Sequence, residues 1–347
     1  MRYPSQRSNP GLKLCRFAII YMEEVAEMTH LSEMMLRNNP SRSQGGKPSS
    51  LIAYFVLAYA ITWATLGLVA LASQGLLPFP LPSGLRSLLM LIGSSGPLLA
   101  ALLIVATTAD KGGMRAFFRP WLTWRVGLRW YLVVLFEPAL AILLAMAGAF
   151  LLNGTTFNLA HPAVVRQLDL PLGINPWLLI IPVFIVGGLI GGPLGEEPGW
   201  RGFALARLQN RFGPLTASLL LGLLWSMWHL PFFFIKGTSQ SSTPFLLFVL
   251  GTVANSVLIA WVYNHTRGSV LLALLFHAAL NMTALYLPIS LWNDWRGVTI
   301  QCLVALSIVI ISGPTRFARQ ASAEQTPPGS ELSKESARTG RLSPHNS

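Results

Sequence analysis

Apolar residues run along this chain in long blocks separated by short polar segments. Eight blocks come near the ~20 residues that a helix needs to cross a bilayer. They fall at about 51–73, 86–108, 130–152, 176–196, 214–235, 244–264, 269–288 and 296–312. The fourth carries Gly187, Gly188, Gly191 and Gly192, two small-xxx-small frames that favour close helix contact. Gly192-Pro193 and Gly195 then loosen the backbone just before two adjacent carboxylates, Glu196 and Glu197. Irregular backbone at membrane depth is tolerated where it lines a cavity. Residues 198–212 read as a short helix near the interface, with Trp200, Phe203, Leu205, Leu208 and Phe212 set among Arg201, Arg207 and Arg211. No internal repeat is visible.

Composition sharpens this pattern. The chain is 52% hydrophobic and 11% charged, against about 25% charged in soluble domains. The expected fold is therefore an all-α polytopic membrane helix bundle of about eight transmembrane helices. The bilayer is the partner that composition implies. The net charge of +12 does not call for nucleic acid, because the cations sit where they would set topology. Counted segment by segment, 21 of the 25 Lys/Arg lie in the first, third, fifth, seventh and ninth polar stretches. By the positive-inside rule, that alternation puts both termini, and the Glu-Glu segment, on the cytoplasmic side.

Residues 1–50 read as a polar, basic cytoplasmic tail, mostly disordered, with a short amphipathic helix at 22–36 and Met28, Met34 and Met35 as alternative starts. Residues 313–347 are rich in Ser, Pro, Glu and Arg and read as a second disordered tail. The domain proper is 51–312. Cys15 lies in a tail and Cys302 in a span, so no disulfide framework is implied.

Ionisable residues inside a membrane are costly and default to a functional reading. The spans contain Glu137, Glu196, Glu197, His229 and His277. If a helix starts at Pro198, Glu197 and Arg201 are one turn apart and pair, which frees Glu196. Trp225 and His229 share one helix face, and so do His277 and Asn281. A lone membrane histidine is as readily a satisfied interhelical hydrogen bond as a functional group. A carboxylate pair tied to an arginine also fits an interfacial snorkel. Together, two carboxylates, two imidazoles and an amide supply water activation and oxyanion stabilisation. Glu196, His229 and His277 also supply the ligands of a His₂Glu metal site with an open position.

Glu-Glu-x-x-x-Arg (Glu196, Glu197, Arg201), then aromatic-x-x-x-His (Trp225, His229), then His-x-x-x-Asn (His277, Asn281) resembles the CPBP family. These are the CAAX-protease and bacteriocin-processing intramembrane endopeptidases, also called Abi. The resemblance covers 175–290 closely. It implies a peptidase acting near the cytoplasmic face, with Glu196 and His229 activating the water. It implies that His277 and Asn281 hold the oxyanion, with Glu197 and Arg201 as the supporting pair. The implied substrate is a peptide, or a prenylated or other membrane protein. In a bacterium the location would be the inner membrane. Trp225 stands where the family usually has Phe. The family leaves open whether a divalent metal such as zinc is needed or none at all.

Depth sets a condition on this site. At ~1.5 Å per residue, His277 lies roughly 14 Å into its span and His229 roughly 22 Å past position 214, while Glu196 ends the fourth block. Convergence needs either 198–212 to dip into the bilayer or the fifth span to begin outside the hydrocarbon. The second is expected, with a water-filled cavity open to the cytoplasm and a bend at Pro231 past His229. Glu137 has no place in the motif and is expected to hydrogen-bond within the bundle in its protonated form.

The chief alternative is a catalytically idle immunity or scaffold protein of the same family. Intact Glu196, His229, His277 and Asn281 argue against it. A proton-relay transporter would call for related halves, and none is seen. Gly93-Ser94-Ser95-Gly96 raises a rhomboid-type serine nucleophile, but the tetrapeptide reads better as a helix-packing patch.

Overall fold

The computed structural model describes residues 48–108, 113–171, 173–190, 192–292, 294–313 and 317. The 22–36 helix, the alternative starts, Cys15 and nearly all of both expected tails lie outside these residues, save that a helix already begins at Pro48 and that Gly313 and the buried Phe317 of the second tail are described.

Every expected apolar block forms helix. α1 is Pro48–Ser73. α2 (Ser83–Ser94) and α3 (Gly96–Thr108) meet at a 58° bend. α4 is Leu128–Asn153. α5 (Pro176–Ile190) and α6 (Pro193–Phe212) meet at a 43° bend. α7 is Pro214–Phe234, α8 Phe245–His265, α9 Val270–Tyr286 and α10 Trp295–Ser312. Shorter helices occupy Gly113–Phe118, Ala163–Gln167 and Ile289–Trp292. Among the described residues there are no strands. The protein is a multi-pass, all-α membrane bundle.

Five helices are long and apolar enough to span alone, and seven do so if each bent pair is one span. The remaining block is α9, whose 17 residues lie at the short end of the roughly 17–25 that cross a bilayer. α9 packs against α4, α5, α6 and α8, and protein rather than lipid covers it. A helix apolar on all sides belongs inside. The outer helices show the opposite character: only 28% of the α1 window and 33% of the α4 window are buried. Phe136, Leu140 and Leu144 of α4 stand exposed, a face that only lipid can cover.

Residues 198–212 form most of α6, in which Trp200, Arg201, Phe203, Ala204, Leu205 and Leu208 are buried. The helix is sunk into the bundle, and this sets Glu196 against Trp225 and Glu197 against His277. Its positive charges are handled locally. Arg201 is neutralised by Glu197, while Arg207 lays its guanidinium over the Phe203 ring and donates to the Phe203 carbonyl at 2.7 Å.

Two glycines let α6 enter. A Cβ on Gly195 would stand 2.8 Å from the Ser94 carbonyl oxygen and from Ser95 Cα, and one on Gly199 would strike the Pro97 carbonyl. Both contacts fall on the bend between α2 and α3, so the two broken spans cross at their breaks. The Gly93–Gly96 tetrapeptide is that bend, packed against α1 and α6 as a packing patch.

Two further contacts fix the α7 end of the site. Trp228 Nε1 donates to Thr62 Oγ1 at 2.8 Å, and that hydroxyl donates to the Gly93 carbonyl at 2.7 Å, tying α7 to α1 and α2. The α7–α8 seam is lined by small residues, and Ser256 Oγ donates to the Ser218 carbonyl at 2.9 Å. Regular helix in α7 ends at Trp228, with a tighter turn over Leu230–Phe234 around Pro231, as the proline suggested.

Candidate active site

Glu196 and Glu197 lie in the first turns of α6, one residue apart, so their side chains diverge. Pro198 falls inside this helix, where its missing N–H releases a carbonyl. Immediately beyond, Trp200–Leu205 widens to π-helix, a local distortion that often marks functional positions.

Glu197 faces α9. Its Oε1 accepts from Arg201 Nη1 at 2.8 Å and contacts His277 Nδ1 at 2.9 Å. Glu197 and Arg201 are wholly buried, so this is an ion pair without solvent. Beside an ionised carboxylate, which only accepts, His277 Nδ1 must carry a hydrogen. That leaves Nε2 as the free ring atom. The Arg201 guanidinium also lies 4.6 Å from the centre of the Trp225 ring, a cation–π contact strengthened by desolvation.

Glu196 faces α7. Trp225 Nε1 donates to Glu196 Oε2 at 2.7 Å, with both groups buried. His229 sits one turn further along α7, and its Nδ1 bonds the Trp225 carbonyl at 2.8 Å. A carbonyl only accepts, so Nδ1 carries the hydrogen and Nε2 is a bare lone pair in the neutral ring. Trp225 also meets the His277 ring edge-on, with centroids 5.1 Å apart.

A cavity of about 150 Å³ opens beside these groups. Trp225, His229, His277 and Asn281 line it, and so do Thr252, Asn255 and Gln301 on its α8 and α10 walls. Glu196 is not among the lining residues. Its Oε1 would lie 3.3 Å from a Cβ on Gly192, and Asn281 Nδ2 3.9 Å from the same point. Glu196 and Asn281 therefore flank Gly192, at the break between α5 and α6.

The three sequence motifs thus converge, and the pairing of Glu197 with Arg201 is formed. The metal arrangement is not. Among the described residues, no three His, Cys, Asp or Glu side chains stand together so that they could share one ion. Glu196 Oε2 is engaged by the Trp225 indole, and its Oε1 lies on the Gly192 side. As arranged, this donor set does not fit a His₂Glu centre.

Sequence reasoning undervalued Trp225. It counted as a conservative aromatic, yet its indole N–H, its carbonyl and its ring face hold Glu196, His229 and Arg201 respectively. The spacing to His229 was visible in the sequence. The indole bond to a carboxylate on another helix was not.

Residues 176–283 match a family model described as type II CAAX prenyl endopeptidase, Rce1-like. The resemblance to the CAAX proteases is borne out. The Rce1-like match begins with α5 and ends within α9, so it encloses all three motifs. A relative from Methanococcus maripaludis, named CAAX prenyl protease 2, is 26% identical over 265 residues, which span 75% of this chain and 91% of the relative. The likeness therefore reaches well beyond the Rce1-like core.

Proposed function

We propose that this protein is an intramembrane endopeptidase of the CAAX prenyl protease type, which hydrolyses a peptide bond near the cytoplasmic face. The observation that carries the reading is the contact of His277 Nδ1 with Glu197 Oε1, 2.9 Å across 80 residues of sequence. It joins the Glu-Glu-x-x-x-Arg motif to the His-x-x-x-Asn motif, and Trp225 joins both to His229. The match to the Rce1-like family and the name of the M. maripaludis relative support the same activity.

In this reading Glu196 is the general base for the attacking water. His229 Nε2, left bare by the Nδ1 bond, accepts a hydrogen bond from that water and orients it, while Glu196 takes the proton. The carbonyl carbon becomes tetrahedral, and its oxygen takes the negative charge. Asn281 Nδ2 and His277 Nε2–H donate to that oxygen. In this step the ring carries a hydrogen on each nitrogen, Nδ1–H for Glu197 and Nε2–H for the oxyanion. Collapse of the intermediate breaks the C–N bond, and the proton taken from the water passes to the leaving amine. The substrate is a prenylated peptide or protein with its cleavable C-terminal segment in the cavity.

The test is cleavage of a farnesylated CAAX peptide and a panel of unprenylated membrane peptides by full-length protein in proteoliposomes. Wild type should cut the farnesylated peptide, and Glu196→Ala and His229→Ala should lose at least 100-fold in rate at equal expression, on the scale of general acid–base catalysis. Mutants that cut as well as wild type would sink the site. Activity that vanishes on chelation and returns with a divalent ion would overturn activation of the water by carboxylate and imidazole alone.

A further inference from the structure

The cavity wall opposite the histidines holds polar groups that the proposed chemistry does not use. Gln301 of α10 is buried, 4% exposed, and its Nε2 donates to Asn255 Oδ1 of α8 at 2.8 Å. Both residues line the cavity. Behind them, the Glu137 carboxyl of α4 faces the Gln301 side chain. Gln301 Oε1 and both Glu137 oxygens are buried without a hydrogen-bond partner.

Burying acceptors unpaired is costly, so the Glu137 carboxyl draws the nearest donor. That donor is the Gln301 side-chain amide, whose Nε2 also donates to Asn255 Oδ1. Two acceptors on the Gln301 N–H groups hold the amide pair in one orientation. Both Asn255 Nδ2–H groups remain as donors, with no acceptor for Asn255 Nδ2 among the described residues. The cavity thus carries a donor-only edge, and its lining contains no Lys, Arg, Asp or Glu.

We propose that Asn255 and Gln301 form an amide subsite that donates hydrogen bonds to a carbonyl-type oxygen of the substrate peptide, with Glu137 as the positioning residue that locks the pair. This rests on the endopeptidase reading for the identity of the ligand. The oxygen comes either from a backbone carbonyl beside the scissile bond or from the peptide's terminal carboxylate. An uncharged donor edge serves both, and it needs no cation in the membrane.

The experiment measures binding and cleavage separately. Binding is read by fluorescence anisotropy of a labelled farnesylated CAAX peptide on full-length protein in nanodiscs. A Glu196→Gln parent is used so that the peptide is not consumed. In that parent, Asn255→Ala should weaken the Kd about fivefold or more, the worth of about 1 kcal/mol for one hydrogen bond. Glu137→Leu should weaken it equally, and Glu137→Gln should restore it, because a side-chain amide oxygen also accepts from Gln301 Nε2. The double variant Asn255→Ala/Glu137→Leu should bind no worse than either single one, since both remove one device. A packing role alone would not follow the acceptor in this way. If the Asn255→Ala loss disappears with a C-terminally amidated peptide, the oxygen belongs to the terminal carboxylate. If it persists, the oxygen belongs to the backbone.

Equal Kd values in parent and Asn255→Ala overturn the subsite, as does a parent that fails to bind the peptide. A Glu137→Gln variant as weak as Glu137→Leu overturns the positioning role. Binding that follows this pattern in a wild-type protein that never cleaves would sink the endopeptidase reading and leave the subsite standing.

Discussion

Trp225 Nε1 lies 2.7 Å from Glu196 Oε2, and the indole donates its one hydrogen to a buried carboxylate. A phenylalanine at this position would fill nearly the same volume and leave that oxygen without its donor. Hydrogen bonds to charged groups are worth about 1.5–3 kcal/mol. The bond sets which oxygen of Glu196 is engaged and which lies on the Gly192 side.

Trp225→Phe should therefore lower kcat about 10- to 100-fold, from the same 1.5–3 kcal/mol, with KM for the farnesylated peptide within about threefold. Trp225→Ala should be worse, because it also removes the ring beneath Arg201. Steady-state kinetics on both variants check this. A Phe variant with wild-type kcat would mean that the indole N–H has no part in holding Glu196.

The Glu197–Arg201 pair makes a prediction about stability rather than rate. Both side chains are wholly buried, and Arg201 Nε and Nη2 have no partner besides the one bond at Nη1. Breaking a buried pair by removing one member leaves an uncompensated charge and costs about 3–5 kcal/mol. Glu197→Ala should thus lower the thermal unfolding midpoint in detergent clearly and abolish cleavage. The double variant Glu197→Leu/Arg201→Met, which removes both charges, should recover most of the midpoint and none of the cleavage, because His277 still lacks its carboxylate. Recovery of cleavage in the double variant would deny Glu197 any part in orienting His277.

Much of this arrangement was legible before any coordinates. The apolar blocks gave the helices, and the three motifs gave the residues that meet. The burial of α6 was not legible. A one-dimensional pattern of three arginines among aromatics does not say that Glu197 discharges Arg201 or that Phe203 carries Arg207. Hydrophobic length says nothing of neighbours: the apolar run of α9 reads like the outer spans, although protein rather than lipid surrounds it. Glu137 shows the same limit from the other side. Its partner side chain lies 164 positions further on, and no spacing rule links α4 to α10.

Gly195 and Gly199 offer the sharpest contrast with the serines they pack against. The Gly195 and Gly199 Cβ positions fall on the backbone of Ser94, Ser95 and Pro97, which cannot rotate away as a side chain does. Gly199→Ala must push α6 off the α2–α3 bend, and overpacking of this kind costs typically 1–3 kcal/mol or more. The shift would also carry Glu196 and Glu197 away from Trp225 and His277. Gly199→Ala should therefore unfold earlier and lose cleavage, and Gly195→Ala should behave alike. Ser94→Ala and Ser95→Ala keep the backbone and remove only hydroxyls, so both should cleave within about twofold of wild type, as surface-like changes outside the site do. Cleavage rates and unfolding midpoints of the four variants, measured together, separate the two roles. If either serine variant were dead while folded, the tetrapeptide would hold a nucleophile, and a serine mechanism would displace the carboxylate one.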